Sequence, residues 1–225
     1  MTRAEIKAWE RAAVKGNAEA QSRLGDMYNY GKGKRKNARE GAKWFRKAAR
    51  QRNAHAQYNL ATMYDTGEGV PESPVLAVKW YRKAAEQGHV SAQFNLGVSF
   101  EEGDGVRRDI SQAVRWYRKA AEKGHTKARY NLGRIHATGQ KGRNNIKQAV
   151  GWFRKAARQG NAKAQNYLGN LYADGEGVSR NTVRARKWYL RAIEQGNADA
   201  RFNLKILEKE SLIRKTILEN RVFQK

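Results

Sequence analysis

Residues 92–124 read AQFNLGVSFEEGDGVRRDISQAVRWYRKAAEKG, and the rest of the chain can be laid against them. Ala92, Leu96 and Phe100 stand four apart. That spacing puts them on one face of a helix and does not suit the alternation of a strand. Gly103-Asp104-Gly105 then supplies a turn, because a left-handed glycine commonly closes a helix. Trp116-Tyr117 and Ala120-Ala121 follow, with Gly124 as a second stop. The stretch predicts a helix A, a glycine turn, a helix B and a short joint.

The same block returns with a period of 36 residues, within the range of about 20–50 that marks repeat arrays. Trp44, Trp80, Trp116, Trp152 and Trp188 each precede an aromatic residue. Ala20, Ala56, Ala92, Ala128, Ala164 and Ala200 each stand four before a leucine. A small residue follows most of those leucines (Gly25, Ala61, Gly97, Gly133, Gly169), which predicts close approach of helices A and B. The fourth copy is irregular, with Gly139 and Gly142 out of the G-x-G spacing. Trp9 is one residue out of phase while Ala12-Ala13 and Gly16-Asn17 keep it, so residues 1–16 read as a degenerate half-repeat. Residues 205–225 leave the pattern. There Ile206, Leu207, Ile213, Ile217, Leu218 and Val222 form a helical stripe suited to a capping helix. The alternative is a basic amphipathic helix for a partner or membrane. The expectation is one all-α domain over 1–225, with about five full repeats in 17–204 and a helix at each end.

The pattern A-x-x-x-L-G-x-x-Y, G-x-G-V, A-x-x-W-[YF]-x-K-A-A and G resembles the Sel-one-like (Sel1) repeat family, relatives of tetratricopeptide repeats. The resemblance spans roughly residues 16–204. It implies a right-handed α-solenoid of antiparallel helix pairs with the A helices on the concave side. It also implies a non-enzymatic scaffold, adaptor or regulator, with a bacterial effector or a toxin-neutralising immunity protein among the possible forms.

Composition narrows the chemistry. The chain has 225 residues, 40% of them hydrophobic, enough for a core. It has no cysteine, which excludes disulfides, thiolate catalysis and Cys-ligated zinc. No apolar run is long enough to span a membrane, and the first residues lack an apolar leader core. A cytoplasmic protein is therefore expected, with export after leader removal as the alternative. His89 and His125 occupy the position filled by Asn17, Asn53, Asn161 and Asn197, where a polar residue opening helix A suffices. His136 replaces a core aromatic. No catalytic set, metal site or cofactor is expected.

The formal net charge is +25. Residues 32–52 hold ten Lys/Arg and one acid, 65–104 hold three and seven, and 107–163 hold sixteen and two. An acidic island between basic lobes points to electrostatic recognition. The doublets Arg46-Lys47, Arg82-Lys83, Arg118-Lys119 and Arg154-Lys155 follow the repeat and read as a solvated face. The tryptophans, in phase beside Ala-Ala, read as core rather than as base-stacking platforms.

Carried over by the Leu-Gly register, the resemblance places concave contacts two and five residues before the leucine and one after the small residue. The expected partner-binding residues are Tyr58, Asn59, Phe94, Asn95, Lys127, Arg129, Tyr130, Asn131, Arg134, Lys163, Asn166 and Asn170. The aromatic residues either anchor a partner or pack between neighbouring A helices. The asparagines either clamp a peptide or bond between repeats. The expected partner is an acidic protein or peptide held by a monomer. Nucleic acid bound through the basic surface is the alternative, and an anionic membrane or surface polyanion the second.

Overall fold

The structure, a computed structural model, describes residues 2–140 and 145–223. Among them there are twelve helices and no strand. They fall into two compact units, Met1–His125 and Thr126–Lys225.

The first unit contains α1 (Arg3–Val14), α2 (Ala18–Tyr30), α3 (Ala38–Arg50), α4 (Ala54–Thr66), α5 (Pro74–Glu86), α6 (Val90–Glu102) and α7 (Ile110–Glu122). Each even helix is an A helix, and the next odd one is its B partner. Consecutive helices pack against each other throughout the unit. The second unit repeats the scheme with α8 (Thr126–Thr138), α9 (Ile146–Arg158), α10 (Ala162–Asp174), α11 (Thr182–Glu194) and α12 (Ala198–Phe223). Within each unit the helix pairs stack on their sequence neighbours, the construction of an all-α solenoid. Helix α1 takes the place of a B helix and seats Ala13 against Ala20 and Leu24. Helix α12 starts as an A helix with Ala200 and Leu204 buried and runs on without a break. Of its predicted stripe, Leu207 is buried while Ile206 and Ile213 are exposed. The side chains of Ile217, Leu218 and Val222 lie outside the described residues, as does Gly142.

Polar caps set the helix starts. Asn17, Asn53, Asn161 and Asn197 each accept the amide of the residue three ahead, and His89 does so through Nδ1. The B helices have their own caps at the same period: Asn37, Ser73, Asp109, Asn145 and Asn181. Glycine ends most helices with a positive φ, but Arg52 holds φ 66° in the register of Gly88 and Gly124. A side chain there crowds its own carbonyl. Arg52→Gly is therefore expected to stabilise the protein by about 1 kcal/mol, read as a higher urea midpoint. An unchanged midpoint would show that this turn costs the arginine nothing.

The core differs from the sequence reading in one respect. The most deeply buried rings are those after the tryptophans: Phe45, Tyr81, Tyr117, Phe153 and Tyr189. Trp116 is buried, but the other repeat tryptophans are only half-buried. Each carries the cation three residues on over its ring: Lys47, Lys83, Lys119, Lys155 and Arg191, at 4.2 to 5.0 Å. The indole shields one face of the core and the lysine shields the indole from water. Arg46 and Arg154, which begin two doublets, donate to the hydroxyls of Tyr64 and Tyr172 on the next A helix. In these doublets the two basic residues have separate packing tasks.

Candidate functional site

The predicted site residues lie on A helices. In the first unit Tyr58 stacks on His89, with centroids 4.5 Å apart, and tilts against Tyr81 at 6.0 Å. One repeat on, Phe94 stacks on His125 at 4.4 Å and tilts against Tyr117 at 5.7 Å. In the second unit Tyr130 lies 6.0 Å from Phe153 and 6.1 Å from Tyr167. All three are half-buried. Tyr58 and Tyr130 therefore bridge their own B helices and a following A helix or its cap, Phe94 joins its own B helix to His125, and only part of each ring faces outward.

Three of the predicted asparagines are committed to neighbours. Asn59 is buried and donates to Asp26 Oδ1 on the preceding A helix at 3.4 Å, while accepting the Tyr30 hydroxyl at 3.5 Å. It also lies 2.9 Å from His55 Nε2. Asn166, likewise buried, and Asn170 both accept from Asn203, each at 3.0 Å. Asn170 also accepts the Tyr189 hydroxyl at 2.8 Å. Asn95 and Asn131 are half-buried. His55 contacts the Asp26 carboxylate at 3.1 Å. That hydrogen bond raises the His55 pKa against the opposing effect of burial, whereas burial lowers that of His89.

The cationic group belongs to the second unit. Lys127 and Lys163 are exposed and stand one repeat apart on α8 and α10. Arg134 is half-buried and reaches Gln140 Oε1 at 3.5 Å. Arg129 is half-buried in the register of Gln21, Gln57, Gln93 and Gln165. Charge distinguishes the A helices sharply. Helices α4 and α6 contain no Lys or Arg, whereas α8 contains Lys127, Arg129 and Arg134 and no acid. No group of three or more metal-ligating side chains occurs among the described residues, and no described helix is long and apolar enough to cross a membrane.

Sequence reasoning missed a buried glutamine relay. Gln21, Gln57, Gln93 and Gln165 donate to the carbonyls of Ala13, Ala49, Ala85 and Ala157 in the last turns of the preceding B helices. Gln51, Gln87 and Gln195 in turn donate to Gln21, Gln57 and Gln165 at 2.7 to 2.8 Å. The relay supplies partners for carbonyls that a helix end leaves open. Its signal was the recurrence of glutamine at the repeat period.

The Sel1 repeat family model matches residues 18–53, 54–89, 90–125, 126–161 and 162–197. The chain is similar to a protective antigen of uropathogenic Escherichia coli that displays an SLR fold. Identity is 35% and TM-score 0.87, over 91% of this chain and 44% of that one. This chain thus spans less than half of that relative. A Sel1 repeat protein from Oxalobacter formigenes is 37% identical with TM-score 0.78, over 83% of this chain and 76% of that one. An immunity protein from Pseudomonas aeruginosa shares the fold at 18% identity and TM-score 0.51, over 84% of this chain and 72% of that one. No curated protein matches.

Proposed function

Because the chain belongs to the Sel1 repeat family, whose members are generally protein-interaction modules, we propose that it is a non-enzymatic module that holds an acidic protein or peptide on the A-helix face of its second unit. The carrying observation is the charge of α8, with three basic residues and no acid, where α4 and α6 carry no basic residue at all. Lys127 and Lys163 supply exposed cations, Arg134 a third, and the outward part of Tyr130 an apolar anchor between them. Such a patch speeds encounter with an acidic surface and fixes its register. Beside this surface, Asn166 and Asn170 tie α10 to α12 through Asn203.

The test is a pull-down from source lysate with and without nuclease, using wild type and the variant Arg134→Glu with Lys163→Glu. The expected result is a stoichiometric protein that survives nuclease and is lost with the variant, while the urea midpoint stays within about 0.5 kcal/mol of wild type. Retention by the variant would sink the placement. Loss of all bound material on nuclease treatment would make nucleic acid the ligand, as the +25 charge would then suggest.

A further inference from the structure

A second cationic surface lies on the B-helix side of the second unit. Arg154 and Arg158 of α9 and Arg184, Lys187 and Arg191 of α11 line a concavity of about 520 Å3. Its remaining walls are Tyr172 and Trp188, and no acidic side chain lines it. None of the five cations forms an ion pair among the described residues. Four of them are exposed and Arg154 is half-buried.

The repeat itself provides a control. Two repeats earlier, the corresponding concavity of the first unit is lined at the same positions, with Glu86 where the second unit has Arg158 and Gln112 where it has Arg184, and its wall extends to Arg107, Arg108 and Asp109, so that its five cations stand beside two carboxylates. In the copy between them the sequence again places Glu122 and Gln148 there. Helix packing therefore accepts a carboxylate and an amide at these positions. The fold does not require five cations around one hollow with no carboxylate among them, and their mutual repulsion opposes folding. A bound polyanion would reverse that repulsion.

We infer that this concavity is a binding site for a small ligand carrying three or more clustered phosphate groups. Four of the five cations are arginine, whose forked donors suit phosphate oxygens, and each tetrahedral phosphate can be shared among several guanidiniums. Matching five positive charges in this volume requires dense negative charge. A phosphate chain supplies it, whereas each carboxylate of an acidic peptide brings a backbone unit and a stem with it. The aromatic faces are already in use, with Arg184 5.6 Å over Tyr172 and Arg191 5.0 Å over Trp188. That leaves no free platform for the base stacking used by single-stranded nucleic acid. Burial tends to raise the Tyr172 pKa, but Arg154 and Arg184 outweigh it and hold the phenol below its ordinary value, as expected under a strongly positive potential.

The test is calorimetric titration of the full chain with sodium triphosphate at about 0.15 M ionic strength. One site is expected, weakened about a hundredfold in the variant Arg158→Glu with Arg184→Gln. This variant copies residues that the first unit already carries at these positions, so its helical circular dichroism should match wild type. Lys127→Glu with Lys163→Glu, on the opposite helix set, should leave triphosphate binding unchanged. Equal triphosphate affinity in wild type and the Arg158/Arg184 variant would overturn the site. Tighter binding of a single-stranded oligonucleotide or a poly-glutamate peptide, lost in that same variant, would overturn the ligand class.

Discussion

Gly97→Leu is expected to lower the unfolding free energy by about 3 kcal/mol, at the upper end of the usual cost of overpacking. A Cβ at this position would stand 2.6 Å from Tyr117 Cδ1 and 2.7 Å from Cε1. The ring has little freedom to yield. It is completely buried, and its hydroxyl donates to Glu101 Oε2 at 2.8 Å. Leucine adds three further carbons to a gap that does not hold one. The same contact recurs at Gly25, Gly133 and Gly169, against Phe45, Phe153 and Tyr189. Repeat two shows what can be accommodated, because Ala61 holds the position there and is fully buried. Gly97→Ala should therefore cost clearly less than Gly97→Leu. The two variants compared in urea unfolding test the idea, and a leucine variant with the wild-type midpoint would exclude helix contact as the reason for the small residue.

Gly105→Val is expected to cost about 4 kcal/mol, combining left-handed backbone strain with backbone overlap. Gly105 has φ +66°, and a Cβ on it would lie 2.3 Å from the carbonyl carbon and oxygen of Pro74, which opens α5 of the preceding repeat. Gly69 meets the Ala38 backbone in the same way, whereas Gly177 meets chiefly the Ile146 side chain, with Cγ2 at 2.6 Å. Backbone atoms cannot rotate aside as a side chain can, so the joint must open. Gly124 separates the two contributions. It has φ +93° with nothing within 4 Å of its virtual Cβ. Gly124→Val carries the strain alone and should cost about 1–2 kcal/mol. Equal losses at the two positions would show that the overlap at Gly105 relaxes freely.

The period, the helix pairs and the tight glycines were legible because each leaves a mark at a fixed spacing. The leucine and the small residue after it specify both the buried face and the contact upon it. The tryptophan and its neighbour were harder to separate. Adjacent helical positions differ by about 100°, and only the packed structure shows that Tyr117 points inward while Lys119 covers Trp116. The glutamine relay was hidden for a different reason. A hydrophobic pattern counts Gln57 as surface, although it is buried and bonded to a helix-end carbonyl. The bond from Asn59 to Asp26 spans 33 residues, and nothing in either residue's local sequence announces it. The concavity around Arg158 and Arg184 was within the reach of sequence comparison. Laying the copies over one another shows Arg158 where Glu86, Glu122 and Glu194 stand, though Arg50 shares its register, and Arg184 where Leu76, Gln112 and Gln148 stand.

The relay also bears on how such a chain can change its length over generations. Gln87 finds Gln57 thirty residues back, as Gln51 finds Gln21 and Gln195 finds Gln165. Every partner is identified by its offset rather than by its place in the gene. Duplicating or deleting one whole 36-residue unit leaves each offset intact, so a seam between two glutamine-bearing copies inherits these bonds, whereas the copy with Lys123 and Arg129 in these registers leaves Gln93 Oε1 without its donor. An insertion of any other length would strand buried amides on both sides of the scar. The array is therefore free to lengthen and shorten in steps of one unit, and selection can adjust the number of units without solving a new interface each time.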